Sequence, residues 1–250
     1  MTAIVILAGG RGKRMGGDRP KVLQRIDGHT LVEHLLEAVE ESDVCVKPVI
    51  VVGFGADQIR DVVGSRAEYV TQEPQLGTGH AVGFARELLE GRADQVMVLY
   101  GDNPFVSAGT IRKLDLLHST EGRVLTMMTV HVEDFSAWRA PFSDFGRIIR
   151  DTAGRVVRIV EKKDATPEQL EIRELNPALY CFKAAWLWEH LPRLTNDNAQ
   201  GEFLLTDLVG MAITEGQDIA SVEIDPFECL GINTPEHLAM AEQIAHEGAH

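Results

Sequence analysis

The chain is short of cysteine, of aromatic residues, of long apolar runs and of positive charge, and each shortage narrows what it can be. Cys45, Cys181 and Cys229 are odd in number and widely spaced. That excludes a disulfide framework and offers no metal-ligand spacing, so buried free thiols in a reducing cytoplasm are expected. No apolar run nears the roughly 18 residues a membrane helix needs, and no membrane partner is expected. The opening Met-Thr-Ala-Ile-Val-Ile-Leu lacks a basic flank and a cleavage pattern, so it reads as a first strand and not a signal peptide. Lys and Arg number 24 against 38 Asp and Glu, a net charge of −14, which argues against nucleic acid as a partner. If the substrates are phosphates, local cations and a divalent metal must overcome that field.

Such cations are concentrated in one place. An apolar strand, Ala3 to Leu7, runs into a loop with glycines at 9, 10, 12, 16 and 17 and with Arg11, Lys13, Arg14, Arg19 and Lys21. Glycines let backbone N–H groups approach an anion closely, and the cations neutralise it. Spacing decides which phosphate cradle this is. A dinucleotide fingerprint needs a third glycine where Met15 stands. A P-loop needs Ser or Thr where Arg14 stands and a glycine where Leu7 stands. Neither fits.

At 250 residues the chain suits one large α/β domain or two small ones. Helical apolar spacing predicts a helix over Thr30–Glu41, with Thr30 as N-cap, then others near Asp57–Val63, Gly79–Leu89 and Gly109–His118. Apolar strands are predicted at Pro48–Val52, Tyr69–Val70, Val96–Tyr100 and Val124–Val130. This alternation implies a parallel sheet covered on both faces. The second half is richer in strands: Phe145–Arg150 and Val156–Glu161 around an Asp-Thr-Ala-Gly turn, one strand over Leu175–Phe182, and Ile219–Ile224. Helices are predicted around Trp186 and Trp188, at Thr206–Glu215 and at Thr234–Glu247, with the closing Glu247-Gly-Ala-His tail expected to fray.

Three further segments carry chemical signals. In Gln72-Glu-Pro-Gln-Leu-Gly-Thr-Gly-His80, glycines bracket Thr78 before a helix, so amides and a hydroxyl could read a neutral base together with Gln72. His80 by itself reads as a structural histidine. Tyr100-Gly-Asp102-Asn-Pro lies at the carboxyl end of a strand, where open α/β sheets bind ligands. A carboxylate there suits Mg²⁺ shared with phosphates. Glu161 and Asn176 could hydrogen-bond a sugar, and Asn196–Asp207 reads as a polar loop entering a helix. No Ser-His or Cys-His pairing is evident.

The opening pattern Leu-Ala-x-Gly-x-Gly-x-Arg-Met followed by Pro-Lys resembles the signature loop of the sugar-phosphate nucleotidyltransferases. With Gln-Leu-Gly-Thr-Gly-His-Ala, Tyr-Gly-Asp-x-Pro and Asn-Ala-Gln-Gly-Glu, the likeness extends from about Ala3 to Asn233. It is strongest to the uridyltransferase half of the bacterial enzymes that make UDP-N-acetylglucosamine. The resemblance implies an α/β, Rossmann-like nucleotidyltransferase fold with a mixed, mainly parallel central sheet and a β-rich sugar-binding lobe. It implies a catalytic domain over 1–233, with 234–250 a helix and tail packed on it. By position, Leu7, Ala8, Gly10, Gln72, Gly77 and Thr78 would hold uracil and ribose, and Arg14 and Lys21 the phosphates. Asp102 and Asn233 would bind Mg²⁺, and Tyr100, Gly146, Glu161 and Asn176 the sugar phosphate. The implied partners are UTP and a sugar-1-phosphate in the cytoplasm, with room for a homo-oligomer. No acetyl transfer is expected, because no hexapeptide-repeat β-helix follows. The alternatives are another hexose-1-phosphate with UTP or dTTP, or a non-catalytic regulator on the same fold. The sequence departs from the pattern at Gly9, Lys13 and Phe145, and above all at Pro177-Ala178, where Asn176 is ordinarily followed by Thr-Gly or Ser-Gly.

Overall fold

The computed structural model describes residues 1–16 and 19–247; Gly17, Asp18 and the Gly248–His250 tail, with its expected fraying, lie outside the described residues. The elements run β1 (Thr2–Leu7), β2 (Arg25–Ile26), β3 (His29–Thr30), α1 (Leu31–Ser42), β4 (Val49–Val52), α2 (Ala56–Val63), β5 (Glu68–Thr71), α3 (Thr78–Gly83), α4 (Arg86–Leu89), β6 (Gln95–Tyr100), α5 (Ala108–Glu121) and β7 (Leu125–His131). There follow β8 (Gly146–Arg150), β9 (Val156–Val160), α6 (Pro167–Leu170), β10 (Glu174–Asn176), β11 (Tyr180–Lys183), α7 (Ala184–His190), α8 (Asp207–Thr214), β12 (Ala220–Ile224) and α9 (Pro235–Glu247).

Ten strands form one sheet in the order β5-β4-β1-β6-β11-β7-β10-β8-β9, with β12 added to β7. The first four are mutually parallel; the inner strands are buried on both faces, as every residue of Val49–Val52 is, while the edge strand β5 stays partly exposed. The antiparallel β11 then separates β6 from β7. Because β4 and β5 lie on one side of β1 and β6 on the other, the chain reverses its building direction between β1 and β6. That is the switch point where ligands of open α/β sheets bind. The β-rich lobe is therefore not a separate body. Its strands β8, β9 and β10 continue the same sheet antiparallel to one another.

Local chemistry explains the element ends. Thr30 accepts a hydrogen bond from the Glu33 amide while Glu33 accepts from the Thr30 amide, a reciprocal cap that starts α1. Leu31, Val32, Leu35, Leu36 and Val39 then face the core. Ser107 caps α5, and Gly122, at φ 63°, ends it. Helix α9 lays Ala241 against Ile26, Leu31, Leu230 and Ile232.

Two expected elements are broken. The strand expected over Leu175–Phe182 is the separate β10 and β11, because Pro177 cannot donate to a ladder and Ala178 turns the chain with φ 61°. The helix expected over Gly79–Leu89 is split into α3 and α4 around Phe84 and Ala85. Cys181 and Cys229 are buried and Cys45 is half-buried, all free; burial pushes the Cys45 thiol up to about 11.

Candidate active site

The loop after β1 is shaped by what must lie against it. A side chain at Gly12 (φ 59°) would bring its Cβ to 2.7 Å from the Lys21 Cβ, and one at Gly55 to 2.2 Å from Pro20. Glycine at these two places lets Pro20-Lys21 settle onto the loop, with Val22 and Leu23 buried as anchors. The Lys21 ammonium reaches across the switch point. It forms an ion pair with Asp102 Oδ2 at the end of β6 and donates to Asn233 Oδ1 at 2.8 Å. Arg14 donates to the same Asn233 oxygen at 3.3 Å. The Ile232 amide donates to the Asp102 carbonyl at 2.9 Å, which fixes the Asn233 segment beside β6. Lys21 and Asp102 are each 15% exposed, so their attraction is only partly screened. The four expected charge-handling residues thus converge from three segments, the loop after β1, the end of β6 and the Asn233 segment.

Beside them a cleft of about 230 Å³ is lined by Leu7, Ala8, Gly10, Gln72, Thr78 and Tyr100, among others. Gly77 also borders it. With φ 116°, its added Cβ would stand 2.6 Å from the Phe203 carbonyl, so the 196–207 segment packs directly on this turn. Part of this turn is engaged inside the protein. The Gly79 amide donates to the Phe203 carbonyl at 2.8 Å, and Thr78 Oγ1 accepts from the Leu205 amide at 2.9 Å. Gln72 is buried, and its Nε2 lies 3.0 Å from the Gly77 carbonyl oxygen and 3.1 Å from His80 Nδ1.

The third group lies where β8, β9 and α8 meet. A Cβ at Gly146 would be 3.3 Å from Glu161 Oε1, so glycine there lets Glu161 lie against β8. Glu161, Thr206 and Asp207 line a cavity of about 360 Å³. Burial raises the Glu161 carboxyl above its ordinary 4.5, reinforced by the negative charges of Asp207 and Asp164. Burial likewise raises Asp207. Asn176 faces inward: its Nδ2 donates to the Tyr180 hydroxyl at 2.7 Å, and its Oδ1 accepts from the Ala178 amide at 3.0 Å. Burial pushes the phenols of Tyr100 and Tyr180 well up, so both stay protonated donors. Tyr180, Thr206 and Asp207 were not singled out in the sequence. Tyr180 reads there as an ordinary strand residue, and Thr206-Asp207 as a plain helix start.

Among the described residues no cluster of three or more His, Cys, Asp or Glu could hold a metal by itself. The oxygens of Asp102 and Asn233 do converge on a cation, the Lys21 ammonium. An all-oxygen pair that already holds a positive charge suits a hard ion completing its shell with phosphate oxygens. Among the described residues no helix is long and apolar enough to cross a membrane.

A switch-point cleft edged by Lys21 and Asp102 is an arrangement that can hold a nucleotide. The chain belongs to the MobA-like NTP transferase domain family, whose model matches residues 4–209. It is 41% identical over 242 residues to the bifunctional protein GlmU of Pelotomaculum thermopropionicum, covering 96% of this chain and 51% of that one. It is also 41% identical over 248 residues to that of Geobacter metallireducens, covering 98% and 50%. The chain therefore spans about half the length of the curated relatives it matches. A solved apo UDP-glucose pyrophosphorylase shares the fold at a TM-score of 0.78 with 16% identity, covering 99% of each chain. The mixed, mainly parallel sheet is the arrangement the resemblance implied.

Proposed function

We propose that the chain transfers a uridylyl group from UTP to N-acetylglucosamine-1-phosphate, releasing pyrophosphate and forming UDP-N-acetylglucosamine in the cytoplasm. The observation that carries this reading is the convergence of Lys21, Asp102, Asn233 and Arg14 beside the cleft that Gln72 borders. The identity to GlmU proteins supports the choice of substrates.

In this reading an oxygen of the sugar-1-phosphate attacks the α-phosphorus of UTP in line. The bond to the bridging oxygen breaks, and that oxygen leaves with the pyrophosphate. The chain contributes position and charge neutralisation, with no covalent intermediate. Lys21 exchanges Asp102 for the α-phosphate, and Arg14 steadies the leaving pyrophosphate. Asp102 and Asn233 would hold Mg²⁺, which when bound neutralises the triphosphate. Gln72 Oε1 meets the base, while Leu7, Ala8, Gly10, Gly77 and Thr78 wall the base and ribose. Tyr100 and Glu161 face the sugar, and Gly146 makes room for Glu161. Asn176 acts by holding the Tyr180 hydroxyl and the Ala178 turn. The Pro177-Ala178 turn beside it favours a second reading, another hexose-1-phosphate with the same nucleotide.

A pyrophosphate-release assay with Mg²⁺ tests this over UTP, dTTP and CTP, each with N-acetylglucosamine-, glucose- and galactosamine-type 1-phosphates. The expected outcome is that UTP with N-acetylglucosamine-1-phosphate has the highest kcat/KM by about tenfold or more. A higher value for another pair overturns the assignment.

A further inference from the structure

His80 is tied to the cleft through one atom. Gln72 Nε2 is within hydrogen-bond distance of both the Gly77 carbonyl oxygen, at 3.0 Å, and His80 Nδ1, at 3.1 Å. A carbonyl can only accept, so the amide group facing Gly77 must be the donating NH₂. The other N–H of that group is then directed to His80 Nδ1, which must carry a lone pair, placing the imidazole proton on Nε2. The ring is held in this attitude from two sides, edge-on to Phe84 at 5.0 Å and stacked on Phe203 at 6.3 Å between centroids. Both donors of the buried Gln72 amide are therefore consumed inside the protein. Only its acceptor, Oε1, remains. That atom sits against the loop after β1, where a Cβ at Gly9 would be 3.3 Å from it, on the side of the cleft that both residues line.

We propose that His80 is a positioning residue that locks the Gln72 amide with its oxygen toward the base. The site thereby selects a nucleotide whose base offers a ring N–H over one whose ring nitrogen is an acceptor. The inference rests on the reading that Gln72 meets the base, and it adds which residue gives that amide its sense. Uracil and thymine present N3–H to Oε1. Cytosine, of the same size, presents a lone pair, leaving two buried acceptors face to face. Without His80 Nδ1 the amide keeps one anchor instead of two and can turn to offer its NH₂ to cytosine.

Two substitutions separate hydrogen bonding from packing. His80→Asn removes the ring and keeps an acceptor near the position of Nδ1; His80→Phe keeps the ring and removes the acceptor. For each variant and for the wild type, kcat/KM and equilibrium binding are measured for UTP and CTP on the full chain, with N-acetylglucosamine-1-phosphate as acceptor in the kinetic arm. The wild type is expected to favour UTP over CTP by about a hundredfold or more. His80→Asn should stay within about threefold of that ratio, and His80→Phe should lose about tenfold of it. A ratio preserved in His80→Phe and lost in His80→Asn overturns the proposal in favour of ring packing. If His80→Phe does not fold, His80→Asn decides alone, and a ratio collapsed toward unity overturns the proposal. A wild type that prefers dTTP refutes the uridylyl reading and leaves this inference standing, since thymine carries the same N–H. A wild type that prefers CTP overturns this one.

Discussion

The two banks of the cleft handle charge in opposite ways. On the bank formed by the ends of β1 and β6, the Lys21 ammonium is paired with the Asp102 carboxylate, and Asn233 accepts from both Lys21 and Arg14. On the lobe bank, Glu161 and Asp207 line one cavity with both carboxyl groups raised above their ordinary values by burial. A ligand carrying formal charge calls for cations held ready but not bare, because a bare buried charge is costly. A neutral polyol calls for strong acceptors, and a half-buried carboxylate serves even at some cost in ionisation. The difference in electrostatics thus mirrors the difference between a triphosphate and a sugar.

The strongest way to break this contrast is Lys21→Ala. If the paired bank supplies charge stabilisation at the α-phosphate, turnover should fall about a hundredfold or more. Pyrophosphate release, with circular dichroism to confirm the fold, measures it; turnover within threefold of wild type would end that role. Next in size is Glu161→Gln, which should raise KM for the sugar phosphate about tenfold while leaving KM for UTP within twofold. The pH dependence has a definite sign. With its carboxyl raised above 4.5, Glu161 keeps its proton to higher pH than an ordinary glutamate. Sugar-phosphate KM in the wild type should therefore fall as pH rises through that elevated value, and the Gln variant should lack this limb. Equal effects on both KM values would erase the distinction between the banks. The smallest effect concerns the lobe's own backbone. Ala178, at φ 61°, bears about 1–2 kcal/mol of left-handed strain, and glycine would return about 0.4–1 kcal/mol of chain entropy to the unfolded state. Ala178→Gly should raise stability by up to about 1.6 kcal/mol, read as a higher urea midpoint. A lower midpoint would mean that the methyl group's packing outweighs the strain.

How much of this was legible in the sequence follows from distance along the chain. The parallel half, with Thr30 as a cap and its β-branched runs, is dictated locally, and its strands and helices fall where periodicity puts them except for the helix over Gly79–Leu89, which Phe84 and Ala85 divide. Lys21 and Asp102 stand beside Pro20 and Gly101 in conspicuous segments, whereas Asn233 reads as an ordinary helix-flanking residue apart from the resemblance, and the switch-point topology brings the three together. Asn176 was visible, but its partner was not. That Tyr180 takes up its amide depends on a chain reversal that Pro177 and Ala178 impose, and periodicity over 175–182 cannot show it. Asp207 escaped for a similar reason. A helix-opening aspartate has an ordinary explanation until the β9–α8 cavity places Glu161 opposite it. His80 was read as structural, and its tie to Gln72 spans only eight residues. The geometry of the intervening turn is what joins them.

The Lys21–Asp102 contact bears on which visitors the cleft would admit. A lone divalent ion that captured Asp102 would strand the Lys21 ammonium, and a lone phosphate that captured Lys21 would strand the Asp102 carboxylate. Each intruder must displace an internal partner tethered at high effective concentration. Only a visitor that brings both signs at once can trade partners with the pair and leave nothing bare. In the proposed reading the contact would therefore favour a metal–nucleotide complex, which brings both signs, over free orthophosphate or free metal.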